Sequence, residues 1–175
     1  MANTWGYVTQ GVAYALNKSM IEMGHSSSDT RYERIREIVM LNNSLSAVTG
    51  VILQEEIRRT TARSAGTTLT AVSRDSSNAA LNANLSGRTG GTITDGSLYR
   101  RFVWVNEEPV VGGAAMANWL TLVPFGLVWP PSVGDSALQP LTLVASTDEG
   151  FHVKNITSST VGGVDLEMWF TDEAS

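Results

Sequence analysis

The last quarter of the chain, Leu141 to Phe170, reads LTLVASTDEGFHVKNITSSTVGGVDLEMWF, and its end decides the fold class. Val164, Leu166, Met168 and Phe170 alternate with Asp165, Glu167 and Trp169. Successive side chains of a strand point to opposite faces, so this run is a strand with one face in a core. Phe151-His152-Val153-Lys154 alternates in the same way, and Gly162-Gly163 stands between the two runs. Two short alternating runs joined through glycine predict a pair of antiparallel strands.

The same signals recur upstream. Val51–Thr61, VILQEEIRRTT, reads as a long strand, preceded by a hairpin loop over Asn43–Gly50. Thr67–Ser73, TTLTAVS, is β-branched and alternating. Leu98–Asn106, LYRRFVWVN, is a strand rich in aromatic residues. Met116–Trp129 is the most apolar stretch, and Pro124 cannot donate to a ladder, so it divides into two short strands. Arg74–Gly96 is polar throughout and reads as a long surface loop.

Two segments are ambiguous by pattern. Trp5–Met23 fits helix and strand spacing loosely; Gly6 and Gly11 lower the helix odds, so it is read as extended. Tyr32–Asn43 offers Tyr32, Ile35, Ile38 and Val39 at helical spacing behind a capping-box pattern, and a broken alternation for a strand. With no βαβ rhythm, about eight strands make the chain all-β, a single-domain antiparallel β-sandwich of jelly-roll type. Residues 31–175 form that sandwich, and residues 1–30 are set apart as an N-terminal segment serving as an assembly contact.

Composition narrows the function classes. The net charge of −5 leaves no basic footprint for nucleic acid, and the arginines at 58, 59, 63, 100 and 101 stand beside glutamates. With no cysteine, disulfides, thiolate metal sites and cysteine nucleophiles are excluded. No apolar run reaches the roughly 20 residues of a membrane helix. The opening MANTWGYVTQ does not read as a secretory leader. The glycosylation-type triplets at Asn17, Asn42, Asn84 and Asn155 are therefore read as polar turns.

The parts for chemistry are sparse. His25, in a Ser-rich turn, and His152, in a strand, read as plain polar positions rather than metal ligands. Glu55-Glu56 and Glu107-Glu108 are adjacent, so on a strand their side chains diverge and do not form an acid/base pair. Gly90-Gly91 and Gly112-Gly113 are turns, with no Lys-Ser/Thr of a phosphate loop. Trp104, Trp119 and Trp129 read as core. Trp169 falls on the outward face of its strand, as edge packing or a subunit contact, and the contact is the favoured reading. Trp5 and Tyr7 join it as candidate subunit-contact residues. No catalytic, cofactor or metal residue is assigned.

Four segments carry a family resemblance. They are Tyr32–Asn43 with Gly50–Thr61; Asp75–Leu81 (DSSNAAL); Arg100–Glu108; and Asp148–Asn155 (DEGFHVKN) with Ser159–Gly162 and the last strand. Together they resemble the small β-sandwich structural proteins of tailed bacteriophage virions. The resemblance covers roughly residues 32–170 and is one of texture, without a diagnostic motif. It implies that Tyr32–Asn43 is a strand. It also implies a non-enzymatic virion protein, a capsid decoration or cement protein on the capsid surface. The implied partners are copies of itself, in a ring such as a trimer, and the major capsid protein; no nucleic acid, membrane or cofactor is implied. The alternatives are a receptor- or glycan-binding module of a fibre, which needs an exposed aromatic-and-carboxylate groove, and a sandwich-fold hydrolase, which needs converging acids or a His in a pocket.

Overall fold

The computed structural model describes residues 3–28, 30–42, 52–105, 125–129, 141–144, 149–157 and 162–174. Among these the chain forms twelve strands and no helix. In order they are β1 (Asn3–Ala13), β2 (Ser19–His25), β3 (Arg31–Asn42), β4 (Ile52–Ser64), β5 (Thr67–Leu69) and β6 (Ala71–Ser73). There follow β7 (Leu85–Thr89), β8 (Thr92–Val105), β9 (Phe125–Trp129), β10 (Leu141–Val144), β11 (Gly150–Asn155) and β12 (Gly163–Ala174).

The strands divide into two antiparallel sheets. The front sheet runs β10-β3-β12-β1-β6, with β9 also paired to β3, and the back sheet runs β5-β7-β2-β11-β4-β8. With β5, β6, β7 and β9 set aside, eight strands remain, ordered β10-β3-β12-β1 and β2-β11-β4-β8. Along the chain these go front, back, front, back, back, front, back, front, with first and last strands adjacent. That is the double Greek key of a jelly roll.

The alternation of the last strand holds. Val164, Leu166, Met168 and Phe170 are fully buried, while Asp165, Glu167 and Trp169 are half-buried on the other face. Ile35, Ile38 and Met40 of β3 and Leu143 of β10 extend this apolar layer. It packs against Ile21 and Met23 of β2, Phe151 and Val153 of β11, and Leu53 and Ile57 of β4. Tyr32–Asn43, ambiguous by pattern, is strand from Tyr32 to Asn42, the body of β3, and pairs with β12 along its length.

Several expectations are corrected. The runs of β11 and β12 do not pair with one another: β11 lies between β2 and β4, and β12 between β1 and β3. Alternation states which face is buried but not which strand lies alongside, and here the last two strands face each other across the core. Residues 1–30 are not set apart from a 31–175 domain, because β1 and β2 are interior strands of the two sheets. Thr67–Ser73 is two strands, β5 in the back sheet and β6 in the front, with Thr70 where the chain changes sheet. Within Arg74–Gly96 the polar sequence hides β7 and the start of β8. Leu85 and Gly87 of β7 are buried while Ser86 and Arg88, on the other face, supply the polar texture.

The loop expected over Asn43–Gly50, the strand before Pro124, and Trp119, Glu107, Glu108 and Gly112-Gly113 lie outside the described residues. So do the side chains of Trp104 and Trp129.

Candidate functional site

The three candidate contact residues are placed by the β1–β12 register, which sets Trp5 opposite Phe170, Gly6 opposite Trp169 and Tyr7 opposite Met168. Trp5 and Tyr7 therefore share the inward face and Trp169 takes the outward one. Tyr7 is 2% exposed, stacks on Phe170 with centroids 5.5 Å apart, and seats against Gly87. A Cβ at Gly87 would fall 2.4 Å from that ring, so only glycine admits it. Burial, aided by the charge of Glu33, pushes the Tyr7 hydroxyl far above its ordinary value, so it stays protonated. Tyr7 thus presents nothing to another subunit. Trp5 is partly buried against the same core.

Trp169 lies over Gly6, where a Cβ would come within 2.4 Å of the indole. The Arg74 guanidinium stacks on the ring at 4.1 Å and is itself held by Glu37 at 3.2 Å. The indole Nε1 donates to Glu167 at 2.8 Å. The ring is thus engaged by its own chain and is not an open stacking platform. The three aromatic residues do not form one patch.

Exposed apolar side chains occur instead along two strands, β8 and β10. Leu98 and Tyr99 of β8 are exposed, Val103 is 59% exposed and Val144 of β10 is 62% exposed. Leu16 and Val72, exposed as well, belong to the β1–β2 turn and to β6. Among the described residues β8 ends the back sheet and β10 the front. Arg59 of β4 ties the two together. Its Nε donates to the Tyr99 hydroxyl at 2.9 Å and a terminal nitrogen donates to the Thr142 carbonyl at 3.3 Å. Its guanidinium also stacks on Phe151 at 4.8 Å and pairs with Glu149.

The outer face of the back sheet is charged. Arg101 donates to Glu56 from Nε at 2.8 Å, and Arg58 pairs with the same carboxylate. Burial pushes the Glu56 carboxyl up, but the hydrogen bonds from Arg58 and Arg101 outweigh it and hold it below the usual range. Lys154 donates to Asp95 at 2.6 Å. His152 lies buried under Asp95 with Nε2 3.4 Å from the carboxylate. Burial pushes its imidazole down to about 4, against the pull of Asp95, so it is neutral at pH 7.

His25 is not in a turn. It ends β2, fully buried, with Nε2 bonded to Glu33. Asn82 donates to Glu33 from its side chain and to Asp172 from its backbone, and Arg31 pairs with Asp172 at 2.9 Å. This is a buried polar network at one end of the sandwich. Among the described residues no three His, Asp or Glu side chains converge as metal ligands.

Glu55 is the residue that sequence reasoning passed over. It sits between Leu53 and Ile57 on the inward face of β4, across from Asn155 of β11 and Phe102 of β8. It is fully buried, and neither carboxyl oxygen has a hydrogen-bond partner among the described residues. Burial alone pushes its carboxyl up to about 8. The signal was present: in Leu53-x-Glu55-x-Ile57 the period of two sets the glutamate on the apolar face.

No protein-family model, no curated protein and no solved structure matches this chain.

Proposed function

We propose that the chain is a non-enzymatic, adhesive structural subunit of a tailed-phage virion, a capsid decoration or cement protein. It joins copies of itself into a closed ring and seats on neighbouring coat subunits through the edges of β8 and β10. The observation that carries this reading is the set of exposed apolar side chains on those two edge strands, Leu98, Tyr99, Val103 and Val144. An open strand edge is a template for pairing with another chain. Exposed apolar side chains spread along such edges are surface that a partner would cover. The jelly roll occurs in capsid domains and lectins alike, so the fold does not choose between them. The resemblance of the strand and loop textures to phage structural proteins favours the capsid, and the engaged Trp169 ring weighs against the lectin. Many small contacts around a ring add through effective concentration, which suits a surface of modest area.

Purified protein mixed with coat shells that lack it is expected to co-sediment with them and to saturate at a fixed ratio. The double variant Val103→Asp/Val144→Asp should bind at least about tenfold more weakly, because both charges would be buried unpaired in the contact. Wild-type protein remaining in the supernatant, or a double variant that binds as well as wild type, would contradict the proposal.

A further inference from the structure

We infer that Glu55 makes the β4–β8 wing of the back sheet a pH-responsive element, closed while the carboxyl is neutral and released at the β8 edge when it ionises. The inference concerns the isolated chain and stands whether or not the chain seats on a capsid.

The geometry has three parts. First, the Glu55 carboxyl faces the core with both oxygens unpartnered among the described residues, and the side-chain amide nitrogen of its cross-strand neighbour Asn155 is unpartnered as well. The Asn155 oxygen is already taken by the Thr157 N–H at 3.0 Å. Second, the groups around Glu55 do not neutralise it. Phe102 lies opposite on β8, and Asn155 and Val153 share its face on β11. Lys154, Glu56 and Arg101 belong to the outward face, where Glu56 is already held by two arginines. Arg100, across from Ile57, is half exposed at the edge. The charged groups facing inward from the front sheet, Glu33 and Asp172, belong to the network of His25 at one end of β2, whereas Asn155 is bonded to Lys18 beyond the other end. Third, β8 is the edge strand next to Glu55. Among the described residues it pairs with β4 alone, and their ladder shifts register at three places between Ile57 and Ala62.

A bare carboxylate in an apolar interior is strongly disfavoured and gains water by whatever opening costs least. Here that opening is a local parting of β8 from β4 beside Glu55, on the side where β8 has no second neighbour among the described residues, and it leaves the front sheet in place. Burial raises the carboxyl into the mildly alkaline range, so the change falls where the rest of the chain is folded.

The test is amide hydrogen exchange followed by mass spectrometry from pH 6 to pH 9, corrected for the intrinsic pH dependence of exchange. Peptides covering 52–57 and 98–105 are expected to exchange at least about tenfold faster at pH 9 than at pH 6, while peptides of β12 keep their protection. Glu55→Gln should flatten the response of β8, and Glu55→Met serves the same purpose if the amide variant folds poorly. Wild-type β8 that does not respond, a parallel loss in β8 and β12, or a neutral variant that responds as wild type does would each overturn the inference.

Discussion

Phe170→Ala is expected to destabilise the protein by about 3–5 kcal/mol, the usual cost of emptying a buried aromatic site. Phe170 is fully buried on β12, opposite Trp5 of β1 and Ile35 of β3, and its ring stacks on Tyr7. Removing it takes away the apolar burial and the ring pair, and leaves a cavity under a strand that both neighbours depend on. Tyr7 cannot collapse into that space freely, since Gly87 fixes its other side. A domain of this kind has about 5–15 kcal/mol of stability in all, so the loss is a large fraction of it. Urea denaturation measures it directly. A loss below about 1 kcal/mol would mean that β12 is not the centre of the front sheet.

Glu55→Gln is expected to change the pH profile of stability, and its sign can be worked out. The folded carboxyl keeps its proton up to about 8 and the unfolded one releases it near 4.5. Between those values the folded chain holds more protons, so stability falls as pH rises through the window, by about 3 kcal/mol between pH 4.5 and 7. His152 acts in the opposite sense. Its ordinary value of 6.5 is depressed to about 4 in the fold, so the stability it contributes is present above 6.5 and is lost as pH falls toward 4. That loss is also about 3 kcal/mol. In wild type the two slopes oppose each other between pH 4.5 and 6.5, and stability declines only from there to pH 8. Glu55→Gln should uncover the histidine, with stability rising from pH 4 to 6.5 and then level. His152→Asn should uncover the glutamate, with stability falling from pH 4.5 to 8. Chemical denaturation at a series of pH values checks both, and a Glu55→Gln profile parallel to wild type would exclude the buried carboxyl as the cause.

These residues also show what could be read in advance. β12 was legible because one face meets the core and the other meets water, which is the condition for clean alternation. β2, SMIEMGH, was not, because every residue of it is buried. Its outer face is covered as well: a Cβ at Gly24 would meet Arg63 and the Glu149 carbonyl, and one at Gly91 would meet Glu22. A strand covered on both faces keeps no polar side to alternate, and its last residue, His25, read as part of a Ser-rich turn. Pairing was less legible still. A jelly roll joins its neighbours through residues far apart in sequence, such as Asn3 with Asp172, and no local signal records that. Of the candidate site, Trp169 was correctly read as outward-facing and Tyr7 was not read as inward, because the register of β1 depends on a strand more than 150 residues away. The exposed Val103 and Val144 looked like ordinary strand residues; only their position on two edges distinguishes them.

The most direct test of the proposed assembly is the solution mass of the purified protein, taken by size exclusion with light scattering across a dilution series. The account predicts a closed oligomer of fixed size for wild type and a folded monomer for Val103→Asp/Val144→Asp. Wild-type protein that is monomeric at every concentration would contradict it, and so would an oligomer unchanged by the two aspartates.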